Sequence, residues 1–157
     1  MPTHPGWRVR LGALLLLAVS AACATPGAGR GEAAFEDAID VSDVTAIRER
    51  WGVEVLGLHP TAAGAMLDFR YRVVDPSRAA PLLDGKQRPY LLDGRGAKLG
   101  VPETPILGSL RQTGRNGKIS TDHTYFVLFA NPAKYLRPGD RVTLAVGDAR
   151  LSDLTVE

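Results

Sequence analysis

Beyond residue 52 the apolar positions of this chain recur every second residue, the period of a strand with one face buried. Leu67, Phe69, Tyr71 and Val73 alternate with Asp68, Arg70 and Arg72, the cleanest such run in the sequence. Ahead of it Val53, Val55 and Gly57 alternate with Glu54, Leu56 and Leu58. Pro60 and Gly64 then punctuate a turn, so the two runs predict a hairpin. Further strands are predicted at residues 90–92 and 97–101, around the turn Asp93-Gly94-Arg95-Gly96. Residues 124–129 are a compact apolar run suited to a strand buried on both faces, residues 141–146 alternate again, and residues 151–156 complete the series. Residues 102–110 have no clear period, and residues 111–118 (RQTGRNGK) read as a polar loop.

A helical period occurs only early. Val44, Ile47 and Trp51 fall at i, i+3 and i+7, with Gly52 as a stop, so residues 35–51 are expected to be a short helical lead-in. Asp75-Pro76 is a cap and first-turn pair and predicts a single helical turn within residues 76–83. About seven short strands separated by frequent turn signals predict an all-β fold over residues 52–157, an antiparallel immunoglobulin-like β-sandwich.

The N-terminus has another logic. Arg8 and Arg10 precede the apolar run 11–19 (LGALLLLAV), and small residues lead to Cys23, the three-part layout of a secretory signal. The apolar stretch reaches twelve residues at most, short of the ~20 that span a bilayer as a helix. Ser20-Ala21-Ala22-Cys23 resembles a lipobox, although Ser20 stands where that motif usually carries Leu. The resemblance implies a signal peptide over residues 1–22 and a lipidated Cys23, with Ala24 favouring the outer membrane in a Gram-negative cell. A plain secretory cut before Thr25 is the alternative. Residues 23–34 are small and Gly-rich, a flexible tether spanning on the order of 15–20 Å.

Three further stretches, Trp51-Gly52-Val53, the run from Phe69 to Pro76 (FRYRVVDP), and the run from Leu136 to Val142 (LRPGDRV), resemble uncharacterised bacterial lipoproteins with a small immunoglobulin-like domain. That resemblance implies a fold and an envelope address, and it transfers no catalytic residue.

Charge and composition remove several functions. A cut after Ala22 takes two of the 19 basic residues and leaves 17 against 17 acidic ones, so no basic footprint for nucleic acid remains. With Cys23 acylated the mature chain has no thiol, hence neither a disulfide nor a thiolate site. His59, His123 and Met66 are the candidate ligands of a copper or zinc carrier, but they lack metal-binding spacing. Ser77, Ser109, Ser120 and Ser152 lie outside any nucleophile-elbow motif. Asp75, Asp84, Asp93, Asp140 and Asp148 all sit at turns, where aspartates bond nearby backbone amides.

What remains is a lipid-anchored envelope protein that works without catalysis or a cofactor, by binding an envelope partner. It is expected at the outer membrane, facing the periplasm. The candidate contacts are Arg70 and Arg72 on the outward face of the best strand, and Arg111, Arg115 and Lys118 in the polar loop. A periplasmic small-ligand or metal carrier is the second expectation.

Overall fold

The computed structural model describes Met1 and residues 37–114 and 118–157; the expected signal peptide, Cys23, the tether and Arg115 lie outside the described residues. Ten strands, two short α-helices and two 3-10 turns make up that part of the chain. A five-stranded sheet has the order β1 (Ile39–Asp40), β10 (Ala149–Thr155), β9 (Arg141–Val146), β4 (Tyr90–Asp93), β5 (Lys98–Gly100). A three-stranded sheet has the order β2 (Val53–Thr61), β3 (Met66–Val73), β8 (Thr124–Ala130). Every pairing inside these sheets is antiparallel except β1 against β10. Their buried residues form one core, an arrangement compatible with a β-sandwich.

The core follows from the two-residue period. In β3 the side chains of Leu67, Phe69, Tyr71 and Val73 are buried, and β8 answers with Tyr125, Val127 and Phe129. Leu91, Leu144 and Leu151 lie on one rung of the other sheet. The stacked rings of Phe69, Tyr71 and Tyr125 run through the centre at 5.6 Å between successive centroids. In β8 burial alternates strictly, so the expected burial on both faces is corrected: Phe126 and Leu128 are only half-buried and point outward.

Strict alternation along β2 would send Leu58 away from the core if Val53 faced it. The register shifts between Val55 and Gly57, leaving Leu56 as an extra, exposed residue, so Val53 and Leu58 both point inward. That is a β-bulge, and Gly57 carries its φ of 138°. β10 is reset likewise between Leu151 and Leu154, both buried, with Asp153 at φ 59°.

The expected helical lead-in over residues 35–51 is corrected: the helix α1 spans only Val44–Trp51, and Ile39–Asp40 ahead of it are the strand β1, drawn into the ladder by β10. The Asp43 carboxylate accepts from Ala46 N–H at 2.9 Å, and Gly52 closes the helix in the left-handed region. Gly52 is obligatory for a second reason: a Cβ there would lie 2.5 Å from the carbonyl oxygen of Asp75. Its own carbonyl accepts from Val74 and Asp75 N–H, joining the start of β2 to the end of β3. The lead-in is therefore part of the body, since Ile47 and Trp51 enter the core and β1 pairs with β10.

At Asp75-Pro76 the chain makes α2 (Pro76–Leu83), two turns long instead of one, with the Asp75 carboxylate capping Ser77 and Arg78 N–H. The aperiodic stretch after β5 forms a separate small ribbon, β6 (Glu103–Thr104) with β7 (Gly108–Ser109).

Asn131, 1% exposed, closes the far end of the molecule. Its Nδ2 donates to the carbonyls of Gly64 (3.0 Å) and Leu136 (2.8 Å), and its Oδ1 accepts from Leu136 N–H at 2.9 Å. Replacing it by leucine strands those backbone groups in an apolar setting. Asn131→Leu is expected to lower the unfolding free energy by about 3 kcal/mol in urea titration; a change under about 1 kcal/mol would mean that water reaches them.

Candidate functional site

The outward face of the three-stranded sheet gathers a cluster of paired surface charge. Successive outward positions of β3 are Asp68, Arg70 and Arg72, and the register sets them against His59 and Glu54 on β2 and Leu128, Phe126 and Thr124 on β8. Arg70 Nε lies 2.8 Å from Asp68 Oδ2. Arg72 reaches Glu54 at 3.9 Å, and Arg48 from α1 reaches the same carboxylate at 3.2 Å. Both strand arginines keep about half of their side-chain surface in solvent, so these pairs orient the guanidinium groups more than they stabilise the fold.

Asp68 is the unusual member. It is buried although it lies on the outward face, and its Oδ1 has no hydrogen-bond partner among the described residues. A buried acceptor left unpaired costs more than an ordinary hydrogen bond returns. Beside it His59 turns towards Glu157, with Nδ1 to Oε2 at 3.4 Å.

Arg111, expected as a surface contact in the polar loop, is only 9% exposed. Residues 110–112 run alongside β8, and the Arg111 guanidinium turns in towards the open end of α2, donating to the carbonyls of Leu82 and Asp84. Gly114 N–H takes the Leu83 carbonyl at 3.2 Å. The last carbonyls of a helix have no partner within it, and this segment supplies them. Burial pushes the Arg111 pKa down, while the nearby Tyr71 and Asp84 pull it back up; a guanidinium stays charged regardless. Lys118 is exposed and lines a separate groove with Gln112, Asp122 and His123. The structure thus brings Arg70 and Arg72 together and leaves Arg111 and Lys118 elsewhere.

The carrier candidates are divided. Met66 and His59 lie towards one end of β3, whereas His123 precedes Thr124 at the start of β8. The five residues between His123 and the Leu128 rung put about 16 Å along the strand between the histidines. Among the described residues no group of three or more His, Cys, Asp or Glu side chains is placed to hold a metal ion. No serine among them is hydrogen-bonded to a histidine; Ser120 Oγ instead accepts from Asp122 N–H at 3.1 Å.

Turn chemistry accounts for four of the five turn aspartates. Asp75, Asp84, Asp93 and Asp140 each accept a backbone N–H two to four residues away. Asp93 goes further, also accepting Arg95 Nε at 2.9 Å and the Tyr135 hydroxyl at 2.6 Å, with Arg95 lying over the Tyr135 ring. Desolvation alone would raise its pKa. The donors from Tyr135, Ala97 and Arg95 outweigh that and hold the carboxyl down at about 2. No sequence signal marked this network, because Tyr135 lies 42 residues from Asp93.

Among the described residues no helix is long and apolar enough to cross a membrane. No family model, curated protein or solved structure matches the chain.

The lowered pKa of Asp93 carries a pH signature. Its folded value lies below the usual 3.8, so its stabilisation is full above that value and is lost as pH falls towards 2. Asp93→Asn is expected to cost about 2 kcal/mol at pH 7, with the gap to the native chain narrowing below pH 4. Chemical denaturation across that range checks both; a gap independent of pH would remove the ionised carboxylate from the account.

Proposed function

We propose that this chain is a lipid-tethered module of the bacterial envelope that acts by binding a partner protein through the outward face of β2, β3 and β8. The observation carrying the proposal is the composition of that face: Arg70 and Arg72 held beside half-buried Phe126 and Leu128, above a buried carboxylate oxygen that lacks a donor among the described residues. Arginine and aromatic side chains are enriched where proteins meet, and a donor from a partner would satisfy Asp68.

We read the two sheets on an immunoglobulin-like plan, one that would suit a binding module. In that reading β2-β3-β8 followed by residues 110–112 would take the places of strands A-B-E-D, and β5-β4-β9-β10 those of C′-C-F-G. Leu58 also bridges in parallel to Val156, so the first strand of one sheet reaches across to the last strand of the other. In this plan α2 occupies the B–C connection. The envelope address rests on Arg8 and Arg10, the apolar run, and Cys23 directly after two small residues. Acyl chains on Cys23 would make attachment effectively permanent.

Two measurements test the two halves separately. Cells fed labelled palmitate are expected to label the native chain, which sediments with the outer membrane, and to leave Cys23→Ala unlabelled and soluble; an unlabelled native chain would favour the cut before Thr25. In-cell crosslinking with mass spectrometry is expected to recover a protein partner with the native chain. The Arg70→Glu/Arg72→Glu/Phe126→Ser variant, matched in abundance, is expected to lose it at least tenfold. Undiminished crosslinking would move the contact off this face.

A further inference from the structure

Ile106 and Leu107, in the turn of the β6–β7 hairpin, are 93% and 75% exposed, the two most exposed large apolar side chains of residues 37–157 outside the undescribed segment. The turn that carries them is well fastened. Leu107 N–H donates to Thr104 Oγ1 at 3.0 Å, and the Thr104 hydroxyl donates to the Gly108 carbonyl at 3.3 Å. Leu110 N–H donates to the Pro102 carbonyl at 3.0 Å and closes the base. The hairpin therefore presents two aliphatic side chains to solvent on an ordered stalk, an arrangement that costs solubility unless something receives them.

At its base lies a groove of about 450 Å³, lined in part by Lys86, Arg88, Tyr90, Lys98 and Glu103. Glu103, the one acid of that lining among the described residues, is engaged by Arg88. The Lys98 ammonium sits 5.0 Å from the centre of the Tyr90 ring. Neither lysine has a carboxylate within ion-pair distance among the described residues.

The register relates this groove to the chain that precedes β1. Ile39, Leu151, Leu144, Leu91 and Leu99 occupy one rung across the five-stranded sheet. Because β1 runs parallel to β10, the residues before Ile39 enter from the end where Tyr90 pairs with Gly100. Both of those residues line the groove.

We infer that this end of the domain lies on an anionic phospholipid surface, with Ile106 and Leu107 entering the headgroup layer and Lys86 and Lys98 facing lipid phosphates. Aliphatic side chains beside cations are the composition of interfacial membrane contacts, and each lysine near an anionic surface adds attraction. A protein groove would accept the aliphatic pair without calling for two uncompensated lysines at its base. The inference takes only its location from the envelope-tethered reading; the chemistry of tip and groove is independent of Cys23. Seated this way, the domain keeps its β2-β3-β8 face available to a partner.

The test uses the full chain as cells process it, carrying Leu107→Trp and mixed with vesicles of phosphatidylglycerol and phosphatidylcholine. The introduced indole is expected to shift to the blue and to be quenched by lipids brominated on their acyl chains. Both effects are expected to vanish on pure phosphatidylcholine, in high salt, and in Lys86→Glu/Lys98→Glu. Water-like, unquenched emission on the anionic vesicles would overturn the inference, as would a blue shift produced only by added envelope protein. If palmitate labelling fails while the quenching persists, the tether reading falls and this contact stands. If labelling succeeds and the indole stays in water, the reverse holds.

Discussion

Beyond Cys23 the chain has no cysteine, so the two sheets are held against each other by apolar burial and close packing. The layer between them is continuous, from Trp51 and Val53 at one end through Tyr71 and Leu144 to Leu136 and Val142 at the other. A domain of this size can be stable on such a core alone, provided every strand keeps its apolar side turned inward. That condition explains the two bulges. Without the extra residue at Leu56, or the shift between Leu151 and Leu154, half of β2 or of β10 would face solvent with its leucines.

The polar architecture follows from the same layer. Each place where the chain leaves it exposes backbone groups that need partners, and side chains, some local and some from distant segments, provide them. Asn131 does so for the Gly64 and Leu136 backbone, Asp93 for the β4–β5 turn, and Arg111 for the open end of α2. These three residues resemble functional groups when viewed singly, being buried, polar or charged, yet each is consumed by the fold. The functional proposals rest on polar positions left free of that duty, on the outer face of β3 and around the β5–β6 groove.

The two proposed contacts are compatible because they use different parts of the surface. The partner face belongs to β2, β3 and β8, whereas the lipid-facing end belongs to the edge of the other sheet and its hairpin. Under the tethered reading, the chain before Ile39 would approach from the strand end that carries the groove, although at the opposite edge of that sheet. Anchoring and recognition are then separate properties of one small domain.

The period of two in residues 67–73 and 141–146 was legible because one face of each strand is buried, and burial is what writes alternation into sequence. Gly52 and Asp75-Pro76 marked helix ends for a local reason, since a cap is made by neighbours in the chain. The turn aspartates were legible on the same ground. Hidden from the sequence were the bulges, the docking of β1 on β10, the outward half-burial of Phe126 and Leu128, and the inward course of Arg111. Each depends on pairing with another segment, such as Arg111 against Leu82, Phe126 against Arg70, or Ile39 against Leu151. The sequence by itself determined where the longer strands run, where α1 stops and where α2 starts, and it alone carries the export-signal reading, because these are properties of contiguous residues. Only the tertiary structure decided which charged side chains are spent on backbone groups and which remain to meet another surface, because that is settled by contacts between segments distant along the chain.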